Sequence, residues 1–306
     1  MAKKNFISLK NLSKHQLLDI VSIAQEVKAH PQDFSNFFLK KHIGLLFEKP
    51  SLRTKTSFYL GAQQLGASAI YYDPQEVRLG QREEICDVSR TLSQYLDVAV
   101  LRTFSHQDIL EFAKFSSIPI VNGLTDLYHP SQVIADILTV TELKKDIEKI
   151  KFSYIGDTNN VCNSLINAFS ILGGNLSIAT PEQYCFDKET IKEIEEKFAK
   201  NGGSFTIGSS PEEAAEAADV LYTDVWSSMG REDEAKQREK VFKNFQINGK
   251  ILEKAKKDSV VMHCLPAHRG QEVTDSVFEG DNSVVFLQAA NRLHAAKAIL
   301  IFIWEK

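Results

Sequence analysis

Apolar positions follow two rhythms along the chain. After Ser13, residues Leu17, Ile20, Val21, Ala24 and Val27 fall three or four apart, the spacing of one helical face. Ser13 and Gln16 have the spacing of a capping box, so the pattern predicts a helix from about Ser13 to His30. From there, short solid apolar runs alternate with longer amphipathic stretches. Ile43–Phe47, Ala69–Tyr72, Val98–Leu101 and Ile118–Val121 read as buried strands in the first half. Phe152–Ile155, Leu176–Ala179, Val220–Thr223, Val260–His263 and Val284–Leu287 repeat the habit in the second. Such alternation predicts parallel sheets covered by helices on both faces. The stretch from Pro130 to about Lys145 reads as a helix joining the halves, and Asn291–Trp304 as a final apolar helix.

A chain of 306 residues exceeds what one hydrophobic core usually organises. The expected fold class is α/β, with two doubly wound domains, each built on a central parallel sheet, and an active site in the cleft between them. The boundaries fall at 1–140 and 141–290, with the segment 291–306 packing back on the first domain. Charge changes the picture little. The 36 basic and 40 acidic residues leave a net charge of −4, too balanced for a nucleic-acid or membrane-surface binder. Positive charge in a site must therefore be local. The four cysteines (Cys86, Cys162, Cys185, Cys264) show no CxxC pair or zinc spacing, which fits a reducing compartment. The N-terminus lacks a signal-peptide apolar region, and Ala298–Trp304 is far shorter than the ~20 residues that cross a bilayer. The expectation is a cytoplasmic protein.

In open parallel sheets, ligands bind beyond the carboxyl ends of the strands. After the first run stand Ser51, Arg53 and Thr54, where strand turns into helix. Helix-start N–H groups collect anions, and an Arg fork beside two hydroxyls makes a phosphate clamp; the alternative is a capped helix with a surface Arg. Arg102 follows Val98–Leu101, a placement where most arginines are solvated or structural. After Ile118–Val121, His129 and Gln132 bracket Pro130 at a helix start, three apart and facing one side. They could grip a carbonyl and an amide, or serve as a cap and an exposed amide. Together, the three strand ends would suit a phosphate joined to a carbonyl or amide.

The second half offers different chemistry. Gly156 follows a strand, but Thr158 stands where the second glycine of GxGxxG belongs. Asn159 and Asn160 open a helix with amide donors that suit a carboxylate. Asp224 ends the run Val220–Thr223, where it could hold an ammonium group, and Cys264 with the carbonyls beside Pro266 could orient an amine. His263 adjoins Cys264 on a strand and so points to the opposite face, which argues against a Cys/His nucleophile pair. Spaced zinc ligands and a Walker A pattern are both missing from the sequence.

At these residues the sequence resembles the aspartate/ornithine carbamoyltransferase family, and within it the ornithine branch. The resemblance spans essentially the whole chain, with six blocks in order: SLRT (51–54), Arg102, HPSQ (129–132), DVWSSMG (224–230), HCLPAHRG (263–270) and NRLH (291–294). It implies that 1–140 binds carbamoyl phosphate and 141–290 binds ornithine. It assigns Ser51, Leu52 through its backbone, Arg53, Thr54, Arg102, His129, Gln132, Cys264, Leu265 and Arg292 to carbamoyl phosphate. Asn160, Asp224, Ser228 and Met229 would hold ornithine, with Cys264 and Leu265 facing the δ-amine and the carbamoyl group. Arg53, Arg102, His129 and Cys264 would be catalytic, and Leu265–Pro266 a cis peptide. It further implies a homotrimer of arginine metabolism, with arginine biosynthesis and ornithine-directed catabolism both open, whose subunits lend a loop near Glu76 to Gln81, with Arg78 as a possible trans contact. No metal and no organic cofactor is expected. Leu52 stands where relatives usually carry Thr, Ser131 where they carry Cys or Thr, and Arg78 where they carry Gln or His. The expected reaction is carbamoyl transfer from carbamoyl phosphate to the δ-amine of ornithine, giving citrulline and phosphate. The rivals are transfer to another amine such as putrescine, an NAD-binding oxidoreductase of Rossmann type, and a catalytically silent binding module.

Overall fold

A computed structural model describes residues 4–144, 146–227 and 234–305 of the chain. It divides into two compact units, one of residues 1–138 with 290–306, the other of residues 139–289. The first unit holds a four-stranded sheet of β1 (His42–Phe47), β2 (Ser68–Tyr72), β3 (Val98–Arg102) and β4 (Ile120–Leu124), in the order β2-β1-β3-β4. Every pairing is parallel. β3 is buried along its whole length and β1 at all but its first residue, as near-continuous apolar runs require in a sheet covered on both faces.

Helices α1 (Lys14–Ala29), α2 (Leu52–Gln64), α3 (Pro74–Val77), α4 (Ile85–Leu92), α5 (His106–Phe115) and α6 (Pro130–Lys144) follow in chain order. Ser13 caps α1 with the complete capping box, and Leu17, Ile20, Val21, Ala24 and Val27 form its buried stripe. From β1 the chain winds to β2 on one side and then to β3 on the other. The connections after β1 and β3 therefore diverge and leave a crevice at their carboxyl ends.

The second unit repeats this plan with five parallel strands. These are β5 (Lys151–Ile155), β6 (Asn175–Ala179), β7 (Ser204–Gly208), β8 (Val220–Thr223) and β9 (Val260–His263), in the order β7-β6-β5-β8-β9. Its switch point lies between β5 and β8. The remaining helices are α7 (Asn160–Leu172), α8 (Lys188–Lys200), α9 (Pro211–Ala215), α10 (Ala235–Phe242), α11 (Gly249–Leu252), α12 (Asp275–Phe278) and α13 (Val285–Trp304). Among the described residues, no helix is long and apolar enough to cross a membrane.

Two elements differ from the sequence pattern. Val284–Leu287 is not a strand: Ser283 makes a single bridge to Val261, and α13 begins at Val285, six residues before the expected helix start. Four apolar residues fit a buried strand or a buried helix equally well, and here the helix continues for 20 residues. The edge strand β7 is the converse case. Its SFTIG is too polar to read as an apolar run, yet it pairs in register with β6.

Candidate active site

Chemistry-bearing side chains gather at both switch points, and the two clusters differ in kind. In the first unit, Ser51 is the N-cap of α2, and its Oγ accepts from the Thr54 N–H at 3.2 Å. Leu52 is the first helical residue and 77% exposed, so its side chain is uncommitted while its N–H is an open first-turn donor. Arg53 follows it, and Thr54 turns inward. A Cβ on Gly123 of β4 would meet Thr54 Cγ2 at 3.3 Å and the Leu101 carbonyl at 3.1 Å, so a glycine there lets α2 approach the sheet.

The residue that organises this cluster comes from α13. Arg292 Nη2 donates to Thr54 Oγ1 at 2.9 Å, while its Nη1 donates to Gln132 Oε1 at 2.5 Å and lies 3.3 Å from His129 Nε2. The guanidinium has no lone pair to offer, so His129 Nε2 is the acceptor in that pair. Gln132 is held from its other side, where Nε2 donates to Asp136 Oδ1 at 2.8 Å.

The cluster is strongly cationic. Burial, then repulsion from Arg292 and Arg53, pushes Arg102 down to about 10. His129 sits well below its ordinary value, because burial and then Arg292, Arg102, Arg53 and Lys49 all oppose its charging. It is therefore neutral at pH 7. Lys49, which the sequence reading passed over, is 8% exposed and pushed down to about 8, first by burial and then by Arg102. Its ammonium lies 4.7 Å from the Phe104 ring centroid. Packed positive charge with depressed pKa values is the environment that favours an anion.

In the second unit, Asp224 directly follows β8. Its Oδ2 accepts from Asn159 Nδ2 at 2.7 Å, and its Oδ1 accepts from the Cys264 thiol at 2.8 Å and the Val225 N–H at 2.8 Å. Asn159 also caps α7 by accepting from the N–H groups of Val161 and Cys162. The sequence places Asn159 at a helix start with an amide donor for a carboxylate; that the carboxylate is Asp224 is a finding of the structure. Asn160 is the first helical residue beside that cap.

Beyond Cys264, Leu265 has a left-handed φ of 60° and a cis bond to Pro266. The Leu265 N–H donates to His263 Nδ1 at 2.8 Å, and His263 Nε2 pairs with the buried Glu272 at 2.9 Å. His263 is thus a scaffold for this turn, with both ring nitrogens engaged. Asp224, His263 and Cys264 nevertheless bring one donor atom each within 4.8 Å of one another, a grouping that residues 40 positions apart do not announce as metal spacing. A cation there would have to displace the hydrogen bonds just described.

Of the expected site residues, direct bonds join Thr54, His129, Gln132 and Arg292, and charge coupling adds Arg53 and Arg102. Asp224 and Cys264 are bonded to each other. Arg78 caps α3 with φ 29° and is exposed. Ser228 and Met229 lie outside the described residues.

Comparison with known proteins bears on both clusters. Residues 4–142 match the carbamoyl-P binding domain of aspartate/ornithine carbamoyltransferase, and residues 148–303 match its Asp/Orn binding domain. The catabolic ornithine carbamoyltransferase of Thermoplasma acidophilum is 43% identical over 300 residues, 98% of each chain. The ornithine carbamoyltransferase of Thermococcus kodakarensis is 43% identical over 310 residues, covering 99% of this chain and 97% of its own. The solved structure of the Pyrococcus furiosus ornithine carbamoyltransferase superposes with a TM-score of 0.93 at 42% identity, covering 98% of this chain and 96% of that one. With both halves matched along nearly their full length, this chain belongs to the aspartate/ornithine carbamoyltransferase family.

Proposed function

We propose that the protein transfers the carbamoyl group of carbamoyl phosphate to the δ-amine of L-ornithine, giving L-citrulline and phosphate. The observation that carries this reading is the convergence of Arg292, Arg102, Arg53, Lys49 and a neutral His129 beside Thr54 and Gln132. Such a set neutralises a phosphate dianion and still offers neutral hydrogen-bonding groups to a carbamoyl oxygen and amide.

In this reading Ser51, the Leu52 N–H, Arg53 and Thr54 hold the phosphate, while Arg102, His129, Gln132 and Arg292 grip the carbamoyl end. Asp224, held ready by Asn159, accepts from the α-ammonium of ornithine. Asn160, Ser228 and Met229 contact the rest of the amino-acid end, and Cys264 with Leu265 guides the δ-nitrogen. A free alkyl ammonium has a pKa near ~10.4, so ornithine must give up its δ-proton before it attacks. The nitrogen lone pair then forms a bond to the carbamoyl carbon, the carbon–oxygen bond to phosphate breaks with its electron pair leaving on the phosphate, and the departing phosphate takes the second proton that the attacking nitrogen sheds. Charge grows on the carbonyl oxygen and the leaving group, where preorganised cations stabilise it. Asp224, His263 and Cys264 offer the one described grouping of metal donors, but the reaction as written needs neither a metal nor an organic cofactor.

The protein is further proposed to work in cytoplasmic arginine biosynthesis as a homotrimer, with Arg78 of one subunit reaching its neighbour's site. The full-length likeness to its relatives supports this, although the Thermoplasma acidophilum relative is named catabolic. An assay of citrulline formation from purified protein, carbamoyl phosphate and ornithine tests the activity. Faster carbamoylation of putrescine, aspartate or acetylornithine would reassign the acceptor. Light scattering tests the trimer, and an Arg78→Ala variant with unchanged kinetics would remove that residue from the site.

A further inference from the structure

Arg238 on α10 is 1% exposed. An arginine keeps its charge at any working pH, so burying one requires partners on several sides. Its Nη2 forms an ion pair with Asp157, in the loop after β5, and its Nε donates to the Trp226 carbonyl, two residues past Asp224. The guanidinium carbon lies 4.3 Å from the Tyr184 ring centroid and 5.2 Å from that of Phe242. Tyr184 belongs to the turn after β6, and its carbonyl accepts from Thr158 Oγ1 at 2.5 Å. On the solvent side, Glu234 stands 3.7 Å away. One guanidinium therefore ties together the loops that leave β5, β6 and β8.

Two of those loops carry the pair Asn159 and Asp224, whose 2.7 Å bond crosses the switch point of the sheet. Asp157 is two residues before Asn159, and Trp226 two residues after Asp224. We infer that Arg238 is a positioning residue for the amino-acid end of ornithine, holding these loops in the arrangement that presents Asp224. The inference rests on the proposed assignment of the second unit to ornithine. Loosening the loops leaves a smaller fraction of molecules competent to bind, and the apparent affinity falls by that fraction. Apart from Cys264 and Leu265, the residues assigned to carbamoyl phosphate belong to the first unit, whereas Arg238 belongs to the second.

The test compares full-length wild type with Arg238→Met, Arg238→Lys and Asp157→Asn. Arg238→Met is expected to raise the KM for ornithine at least about tenfold, while kcat at saturating ornithine stays within about threefold. The affinity for carbamoyl phosphate, measured by calorimetry, should change less than twofold. Arg238→Lys keeps the charge without the planar fork and should fall between Met and wild type. Asp157→Asn should shift the ornithine KM in the same direction, and it carries the readout with Arg238→Lys if the Met variant does not fold. An ornithine KM within twofold of wild type in the folded variants would overturn the inference, as would equal weakening of both substrates. Absence of citrulline formation by the wild type would instead overturn the ornithine assignment itself.

Discussion

The two clusters solve opposite electrostatic problems. The first concentrates positive groups out of water, so that burial first and mutual repulsion second push Arg102, Lys49 and His129 toward their neutral forms. The second is organised by one carboxylate, Asp224, already bonded to an amide, a thiol and a backbone N–H. A dianion reaching the first would meet converging positive charge. An ammonium reaching the second finds an acceptor whose orientation is already fixed. Electrostatic load marks the first cluster, and preorganised geometry the second. Variants at each should fail differently.

The largest effect should follow from Arg292→Met. It removes a charge and leaves Thr54, Gln132 and His129 without their shared donor. Turnover should drop about a hundred- to thousandfold, and calorimetry should show carbamoyl phosphate binding lost while ornithine-side contacts persist. Retention of normal turnover would dissolve the first cluster as a functional unit. Arg53→Ala should likewise abolish turnover without unfolding the protein, checked by steady-state rates and thermal melting.

Asp224→Asn comes next. Loss of a charge-assisted hydrogen bond costs about 1.5–3 kcal/mol, which corresponds to an ornithine KM about ten- to a hundredfold higher. Carbamoyl phosphate affinity should not move. Weakening of both substrates alike would erase the contrast between the clusters.

Acidity gives a smaller and sharper signal. Lys49 titrates near 8 because its folded pKa is depressed, and its protonated form is the one that attracts a dianion. Carbamoyl phosphate should therefore bind best below about pH 8 and progressively more weakly as pH rises through that value. The bound dianion moves the lysine pKa back up, so binding above pH 8 should take up a proton, visible as buffer-dependent heat in calorimetry. Lys49→Met should bind more weakly and flatten that limb of the profile. The smallest effect is expected from Cys264→Ser, whose hydroxyl can still donate to Asp224; its ornithine KM should stay within about threefold, against a larger rise for Cys264→Ala.

The fold was largely legible because most strands are solid apolar runs ending at Gly, Pro or a polar cap, as in Ile43–Phe47 before Ser51. β7 escaped because an edge strand with alternating exposure needs few apolar residues. Val284–Leu287 misled because consecutive apolar residues open α13, and a run that short fits a buried strand as well as a buried helix. At the candidate sites, residues that follow a strand within a few positions stood out. Bonds across long separations did not. Nothing in local spacing joins Arg292 to Gln132, which lie 160 positions apart, or shows that Asn159 serves Asp224 while capping a helix. Lys49 passed unnoticed because the lone lysine in FEKPS gains meaning only once Arg102 is beside it.

The return of residues 290–306 to the first unit has a consequence for the order in which the molecule is made. During synthesis the second unit has all of its residues once Ala289 leaves the ribosome, while the unit begun first still lacks Arg292 and the buried apolar stretch Ala298–Ile303. The nascent chain thus completes its later half before its earlier one. A chain cut just before Arg292 would hold every residue of one unit and leave the other with a gaping core.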